Sequence, residues 1–263
     1  MDDALVATLR AAGCVFAEEE AVLLREAAGA DRGELDALVA RRTGGEPLET
    51  VLGWAMFAGL RIPVAPGVFV PRRRTELVAR LAIARAPLGG TVLDMCCGSG
   101  AIAAAVASAR PDLRIVATDV DPRAVTLAAR TLASLGALAL VSDLDGALDH
   151  LAGRIDVVAS CPPYVPRAQI PLMPREARDH EPIVALDGGD DGTALQRGVF
   201  AASSRLLRPG GVAIVETSEA LADRTVAAAV DQGLAAGISR DDALGAVVAV
   251  ARQAVTRTSS SRA

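Results

Sequence analysis

The spacing of hydrophobic residues changes along the chain and divides it into regions. Up to about residue 44, apolar residues such as Leu5, Leu9, Leu35 and Leu38 recur at helical intervals beside acidic positions such as Glu19. This spacing puts the apolar side chains on one face of each helix. It predicts a small helical unit at the amino terminus.

In the next region, an alternating pattern of apolar and polar residues is interrupted by proline and glycine. Leu60–Val70 contains Pro63, Pro66 and Gly67, which predicts a hairpin between the helical unit and the rest of the chain. From Thr75 onward, β-branched runs alternate with helical patterns, as a parallel doubly wound α/β sheet requires. The predicted divisions are a helical domain at 1–55, a hairpin linker at 56–74, an α/β domain at 75–255 and a disordered tail at 256–263.

The segment Val92–Ala103 is typical of a strand, a tight turn of small residues and an alanine-rich helix. Glycines in such a turn allow a ligand close to the backbone, and the helix that follows offers free N–H groups. Asp119 follows about 20 residues after Gly100, at the end of a second apolar strand, where an acid accepts hydrogen bonds from ribose hydroxyls. Asp94 would repel a pyrophosphate but attract a sulfonium. The pattern therefore favours S-adenosylmethionine over a dinucleotide.

A second loop follows the apolar run Ile155–Ala159 and reads Cys161-Pro162-Pro163-Tyr164. Proline cannot donate to a β-ladder, so the two prolines end the strand and hold the loop in a fixed conformation. Two interpretations are open at this point. The loop is either an ordinary strand end with a packed tyrosine, or a rigid site that presents polar acceptors to a substrate.

Taken in order, these segments resemble the HemK/PrmC-like protein glutamine-N5 methyltransferases, a family of class I methyltransferases. The resemblance covers most of the chain. The similar segments are Gly45–Gly53, Phe69–Glu76, Leu93–Gly100, Thr118–Pro122, Ser142–Asp143, Cys161–Tyr164, Glu181–Gly192 and Leu207–Gly211. The family implies a Rossmann-like, doubly wound sheet of seven strands with an antiparallel pair at Gly237–Val250, preceded by a small helical domain that recruits the substrate.

The resemblance also implies the roles of individual residues. The catalytic residues would be Cys161, Pro162, Pro163 and Tyr164. The residues that bind S-adenosylmethionine would be Pro71, Thr75, Asp94, Cys96, Cys97, Gly98, Ser99, Gly100, Asp119, Val120, Asp143, Leu144 and Cys161. The implied partner is a protein, of the release-factor or ribosomal-protein type, whose glutamine side chain is methylated.

The cofactor loop begins with Cys96 and Cys97, where the family usually has glycine, and two further residues depart from the family pattern. Cys161 replaces the asparagine that begins the family's Asn-Pro-Pro-Tyr loop, and Arg74 lies before Thr75 where the family tends to keep an acidic residue. A thiol is a weak hydrogen-bond acceptor compared with an amide carbonyl. The substitution leaves two alternatives open: a nucleic-acid amino methyltransferase acting on a flipped base, or a cofactor-binding protein without catalysis.

Composition narrows the class of protein. The net charge of −5 disfavours nucleic acid as the direct substrate. No apolar run approaches the roughly 20 residues that span a bilayer, and Asp2-Asp3 stands where a signal peptide would be basic, so we expect a cytoplasmic protein without a membrane partner. The four cysteines lack metal-ligand spacing, and no metal is predicted. His180 is a possible general base, although a surface position is expected for it.

Overall fold

The computed structural model describes residues 2–255, so the predicted disordered tail at 256–263 lies outside the described residues. The amino-terminal unit contains four helices: α1 (Asp2–Ala11), α2 (Ala17–Ala28), α3 (Arg32–Thr43) and α4 (Leu48–Leu52). These helices enclose an apolar cluster of their own, in which Leu9 and Leu24 are fully buried. The predicted helical stripes therefore form a separate small core.

One ion pair in this unit is buried. Arg42 donates to Glu20 over 2.6 Å, and both side chains are largely enclosed. The same guanidinium lies 3.6 Å from Glu176, which belongs to the segment after the Cys161 loop. Arg42 thus connects the helical unit to the part of the α/β domain where the second predicted site lies.

The hairpin begins earlier in the chain than predicted. Strands β1 (Trp54–Phe57) and β2 (Leu60–Pro63) pair antiparallel, so the prediction of a hairpin within 60–70 was wrong about its first strand. Ala58 and Gly59 connect the strands with φ of 49° and 78°, the left-handed conformation that two-residue hairpin turns require. The division at residue 55 would cut this hairpin, and the domain limits stay a prediction.

The α/β domain is built on one seven-stranded sheet, as predicted. Its elements are α5 (Glu76–Arg85), β3 (Thr91–Met95), α6 (Ala101–Ala109), β4 (Arg114–Asp119), α7 (Pro122–Leu132), β5 (Leu138–Val141), β6 (Ile155–Ser160), α8 (Arg175–His180), α9 (Ala194–Leu206), β7 (Leu207–Thr217), α10 (Ala222–Val230), β8 (Ala235–Asp241) and β9 (Ala246–Arg252). The strand order is β5-β4-β3-β6-β7-β9-β8, and β9 alone runs opposite to the other six strands. The reversed strand lies inside the sheet, between β7 and β8, rather than at its edge.

The strand order determines where a ligand can bind. The chain proceeds outward from β3 to β4 and β5 on one side, then returns to β6 and β7 on the other. A crevice forms at the carboxyl ends of the strands where the direction reverses, here between β3 and β6. Helix α6, which follows β3, packs closely against β3 and β4 because its residues are mostly alanine, and all from Ala101 to Ala107 are buried. Within residues 2–255, no helix combines the length and the apolar content needed to cross a bilayer.

Candidate active site

The loop between β3 and α6 has a tightly wound backbone. Cys96, Gly98 and Gly100 have φ of 62°, 54° and 79°, so this turn needs left-handed residues at three alternate positions. Such a conformation costs a residue with a side chain more than it costs glycine, and Cys96 bears that cost. Burial raises the pKa of the Cys96 thiol to about 12, with the nearby Asp119 carboxylate adding to the effect. Cys96 is therefore an uncharged thiol at neutral pH.

Asp119 stabilises this loop from the end of β4. Its Oδ2 accepts a hydrogen bond from the Gly98 N–H over 2.9 Å, and its Oδ1 accepts one from the Asp121 N–H over 2.9 Å. Burial raises the pKa of the Asp119 carboxyl, while these hydrogen bonds oppose the rise. The carboxylate thus lies beside the glycine turn, as the sequence predicted.

A cleft runs from the hairpin across this loop to the end of β5, and we call it the β3 cleft. Most of the predicted cofactor residues line it: Pro71, Thr75, Cys96, Cys97, Gly98, Ser99, Asp119, Val120, Asp143, Leu144 and Cys161. The cleft has further lining residues that were not predicted to bind the cofactor, among them Phe57, Val68, Phe69, Arg72, Val184 and Ala185. Phe69, Arg72 and Ala185 lie in segments that resemble the family but had no assigned role, and Phe57 and Val68 carry no recognisable loop motif.

Two predicted cofactor residues are not among those lining the β3 cleft. Gly100 begins α6 and packs so closely against Ala128 that an added Cβ would lie 3.2 Å from that side chain. Asp94 is fully buried beneath the loop, where its Oδ2 accepts a hydrogen bond from the Ala103 N–H over 2.9 Å. Its Oδ1 has no partner among the described residues. Direct contact of either residue with a cofactor stays a prediction, and the geometry favours support of the loop and of α6.

Asp94 should make the stability of the folded protein depend on pH. Burial raises its pKa to about 7, so between pH 4 and pH 7 the folded protein holds a proton that the unfolded chain has lost. Stability is therefore lost as pH rises through this window, by roughly 4 kcal/mol for a shift of this size. Asp94→Asn should abolish this loss. We expect chemical denaturation to show that the variant's free energy of unfolding, relative to wild type, increases from pH 5 to pH 8.

The opposite trend should appear in ligand binding. A sulfonium cofactor bound near Asp94 is favoured by the ionised carboxylate, so wild-type affinity should rise across the same window more steeply than that of Asp94→Asn. Calorimetry at pH 5, 6.5 and 8 measures both proteins. If wild type and Asp94→Asn had the same pH dependence, both of the free energy of unfolding and of cofactor affinity, the titration of Asp94 in this window would be contradicted.

The Cys161 loop lines a second cavity, which we call the β6 cavity. Pro162 and Tyr164 line the β6 cavity, whereas Cys161 and Pro163 line both it and the β3 cleft. The remaining walls of the β6 cavity come from Phe69, Arg72, Arg74, Val165, Met173, Pro174, Glu176, Ala177, Glu181, Ala185 and Leu186. The two spaces thus meet at the loop that the sequence singled out.

Glu216, at the end of β7, supports this loop from behind and was missed by the sequence reasoning. Its Oε1 accepts hydrogen bonds from the Tyr164 hydroxyl and from Arg74 Nε, each over 3.0 Å. The Arg74 guanidinium also lies 6.0 Å from the centre of the Tyr164 ring. Burial, and then the Glu216 carboxylate, raise the pKa of Tyr164, so its hydroxyl remains a donor. In the sequence Glu216 is marked only as an acidic residue near the end of an apolar strand, which does not connect it to the Cys161 loop.

Two further contacts shape the β6 cavity. The Arg72 guanidinium pairs with the buried Glu181 and lies 5.4 Å from the centre of the Phe69 ring. Gly188 packs against the backbone of the Cys161 loop, where an added Cβ would lie 2.7 Å from Tyr164 Cα. His180 is exposed and lines neither space, so the structure gives no support to a general base there.

Comparisons with known proteins agree with this geometry. Residues 60–173 match the model of the methyltransferase small domain family. The release factor glutamine methyltransferase of Mycolicibacterium smegmatis is 36% identical over 88% of this chain and 88% of its own length. That of Streptomyces coelicolor is 39% identical over 77% of each chain. A relative from Streptomyces pristinaespiralis, named 4-amino-L-phenylalanine/4-methylamino-L-phenylalanine methyltransferase, is 37% identical over 68% of this chain and 63% of its own.

The coverage of the relative from M. smegmatis is too large to be confined to the sheet domain, so the match extends into the helical unit. The protein from M. smegmatis is similar over nearly its whole length, so the agreement is not confined to the fold that class I methyltransferases share. The family implies the use of S-adenosylmethionine, and the strand order, the β3 cleft and the Pro-Pro-Tyr loop fit that chemistry. We conclude that this chain is an enzyme of the release factor glutamine methyltransferase family.

Proposed function

We propose that this protein transfers a methyl group from S-adenosylmethionine to the side-chain amide nitrogen of a glutamine in a peptide-chain release factor. The observation that carries the proposal is the junction of the two spaces at Cys161 and Pro163. Methyl transfer is an in-line displacement, so donor and acceptor must meet without water between them. The loop after β6 is part of the wall that the two spaces share, together with Phe69, Arg72 and Ala185.

The residues of the β3 cleft suit S-adenosylmethionine. Asp119 and Asp143 supply carboxylates that accept hydrogen bonds, and Val68, Val120 and Leu144 supply an apolar surface for a base. An added Cβ at Gly98 would meet no atom within 4 Å, so the backbone there borders open space. Arg72 is the one cationic side chain among the described residues that line the cleft, and it is paired with Glu181. This charge pattern suits a cationic nucleoside better than a phosphate-bearing one.

When bound, S-adenosylmethionine supplies an electrophilic methyl group, and the protein's task is to align the acceptor. An amide nitrogen is a poor nucleophile because its lone pair is delocalised into the carbonyl. In this proposal the Pro162 carbonyl accepts one amide N–H, which helps direct the lone pair toward the β3 cleft. The Tyr164 ring, held by Glu216, provides a flat apolar face for a planar group.

The helical unit is proposed to recruit the protein substrate. It has its own core, and Val15, Phe16 and Val22 expose large apolar side chains to solvent. Its contact with the α/β domain through Arg42 and Glu176 places it beside the β6 cavity, because Glu176 lines that cavity. A macromolecule bound to the helical unit would therefore have a side chain within reach of the catalytic loop.

A panel of acceptors tests the proposed function. The protein is incubated with methyl-labelled S-adenosylmethionine and, separately, intact release factor, a short glutamine peptide, ribosomal proteins, transfer RNA, DNA and 4-amino-L-phenylalanine. We expect transfer to the release factor with the highest kcat/KM and slower transfer to the peptide, because the peptide lacks contacts with the helical unit. Preferred transfer to a nucleic acid or to the free amino acid would replace this function with another, and cofactor binding without any transfer would favour a non-catalytic role.

A further inference from the structure

The departures at positions 74 and 161 lie beside the same buried carboxylate. Glu216 Oε1 accepts the hydrogen bond from Arg74 Nε. Ser160 at the end of β6 is opposite Val215 of β7, so the residues that follow, Cys161 and Glu216, are neighbours across the two strands. The departures at positions 74 and 161 are therefore parts of one cluster.

The second oxygen of Glu216 has no conventional partner. Glu216 is 1% exposed, and its Oε2 is buried without a hydrogen bond among the described residues. A buried carboxylate oxygen left in this state costs free energy, and the contacts that hold the fold together do not explain it. The Cys161 thiol, a weak donor that forms long hydrogen bonds, neighbours Glu216 in the strand register.

The environment keeps the proton on Cys161. Burial raises the pKa of this thiol well above its ordinary value, and the Glu216 carboxylate adds to the rise, although Thr75 and Arg74 oppose it. Thr75 Oγ1 lies 3.9 Å from Sγ on another side. The S–H bond can rotate about Cβ–Sγ, and an unsatisfied carboxylate oxygen nearby favours the orientation in which the S–H faces that oxygen.

We propose that Glu216 is a positioning residue that orients the Cys161 thiol, so that Sγ presents its lone pairs to the β6 cavity and accepts an N–H of the methyl acceptor. Cys161 lines the cavity and Glu216 does not, so Glu216 acts through the thiol. In this arrangement Cys161 and Glu216 together take the role that the family's asparagine carbonyl has. Arg74 pairs with Oε1 of Glu216 and so compensates the charge of that carboxylate. The identity of the methyl acceptor rests on the proposed function. The interaction between Cys161 and Glu216 does not depend on it.

The first test measures the contact without any methyl acceptor. The labelling rate of Cys161 by iodoacetamide at pH 8 is followed by mass spectrometry of its peptide, with Cys14 as the internal reference. Glu216→Gln removes the charge that retains the thiol proton and should raise the Cys161 rate about fivefold or more relative to Cys14. The exposed Glu219→Gln, which alters an ion pair with Arg240, should leave the ratio unchanged. An unchanged ratio in Glu216→Gln would overturn the inference, whether or not the protein methylates glutamine.

The second test measures the function of that contact. With the glutamine acceptor, Glu216→Gln should lower kcat about tenfold while cofactor affinity is retained. In the Cys161→Asn background the same substitution should lower kcat by less than about threefold, because the asparagine carbonyl accepts without help from Glu216. A role limited to holding Tyr164 would give equal losses in both backgrounds, and that result would contradict the proposal. If the wild type methylates no glutamine, the proposed function fails and the labelling experiment still decides the contact.

Discussion

Asp119→Ala is expected to weaken the binding of S-adenosylmethionine by about 10- to 100-fold, which corresponds to the loss of charged hydrogen bonds worth about 1.5 to 3 kcal/mol. The carboxylate lies at the end of β4 beside the glycine turn, and it also accepts the N–H groups of Gly98 and Asp121. Its removal therefore takes away an acceptor for the ligand and loosens the loop that borders the cleft. Isothermal titration calorimetry with the cofactor measures the effect.

The matched control for this substitution is Asp149→Ala, which removes a solvent-exposed carboxylate paired with Arg205. It should bind the cofactor as the wild type does. Circular dichroism should show that both variants keep the secondary structure of the wild type. Unchanged cofactor affinity in a folded Asp119→Ala protein would remove this residue from the binding site.

Gly188→Ala is expected to reduce kcat about 100-fold, with a smaller effect on cofactor affinity. An added Cβ would lie 2.7 Å from both Tyr164 Cα and the Gly192 carbonyl oxygen, and both contacts are with backbone atoms that cannot rotate away. The Cys161 loop must then shift, and a displacement of about 1 Å in a group that positions the substrate can lower the rate by two orders of magnitude. Steady-state kinetics with the glutamine acceptor and calorimetry with the cofactor separate the two effects.

A glycine with free space around it provides the control. Gly237, on β8, has no atom within 4 Å of an added Cβ, so Gly237→Ala should retain the wild-type kcat. Overpacking typically destabilises a protein by about 1 to 3 kcal/mol, so thermal unfolding should be measured to exclude loss of folded protein. Wild-type turnover in folded Gly188→Ala would contradict the view that the 188–192 segment positions Tyr164.

The sequence predicted the elements whose signals are local. The strand, turn and helix around Gly98 follow from the spacing of apolar and small residues, and the structure confirms the seven-stranded sheet with its reversed strand. Asp119 was identified by its distance from the glycine turn, and it lies beside that turn. The comparisons confirm the methyltransferase family that these segments resemble.

The sequence could not predict contacts that depend on register or on distant segments. Glu216 appears in the chain as an ordinary strand end, and only the pairing of β6 with β7 brings it to Cys161. Asp94 lies two residues before the tightly wound turn, yet its side chain points into the protein and bonds to α6 rather than lining the cleft. Arg72 and Glu181 are more than a hundred residues apart, and no local pattern predicts their ion pair.

The position of the methyl group on the product tests the central claim most directly. Intact release factor is incubated with the protein and S-adenosylmethionine, digested, and sequenced by tandem mass spectrometry. We expect a mass increase of one methyl group at a single glutamine, with fragment ions that place it on the side-chain amide, and no increase when that glutamine is replaced. A release factor that remains unmodified under conditions in which the cofactor binds, or a methyl group found on another residue type, would contradict the account.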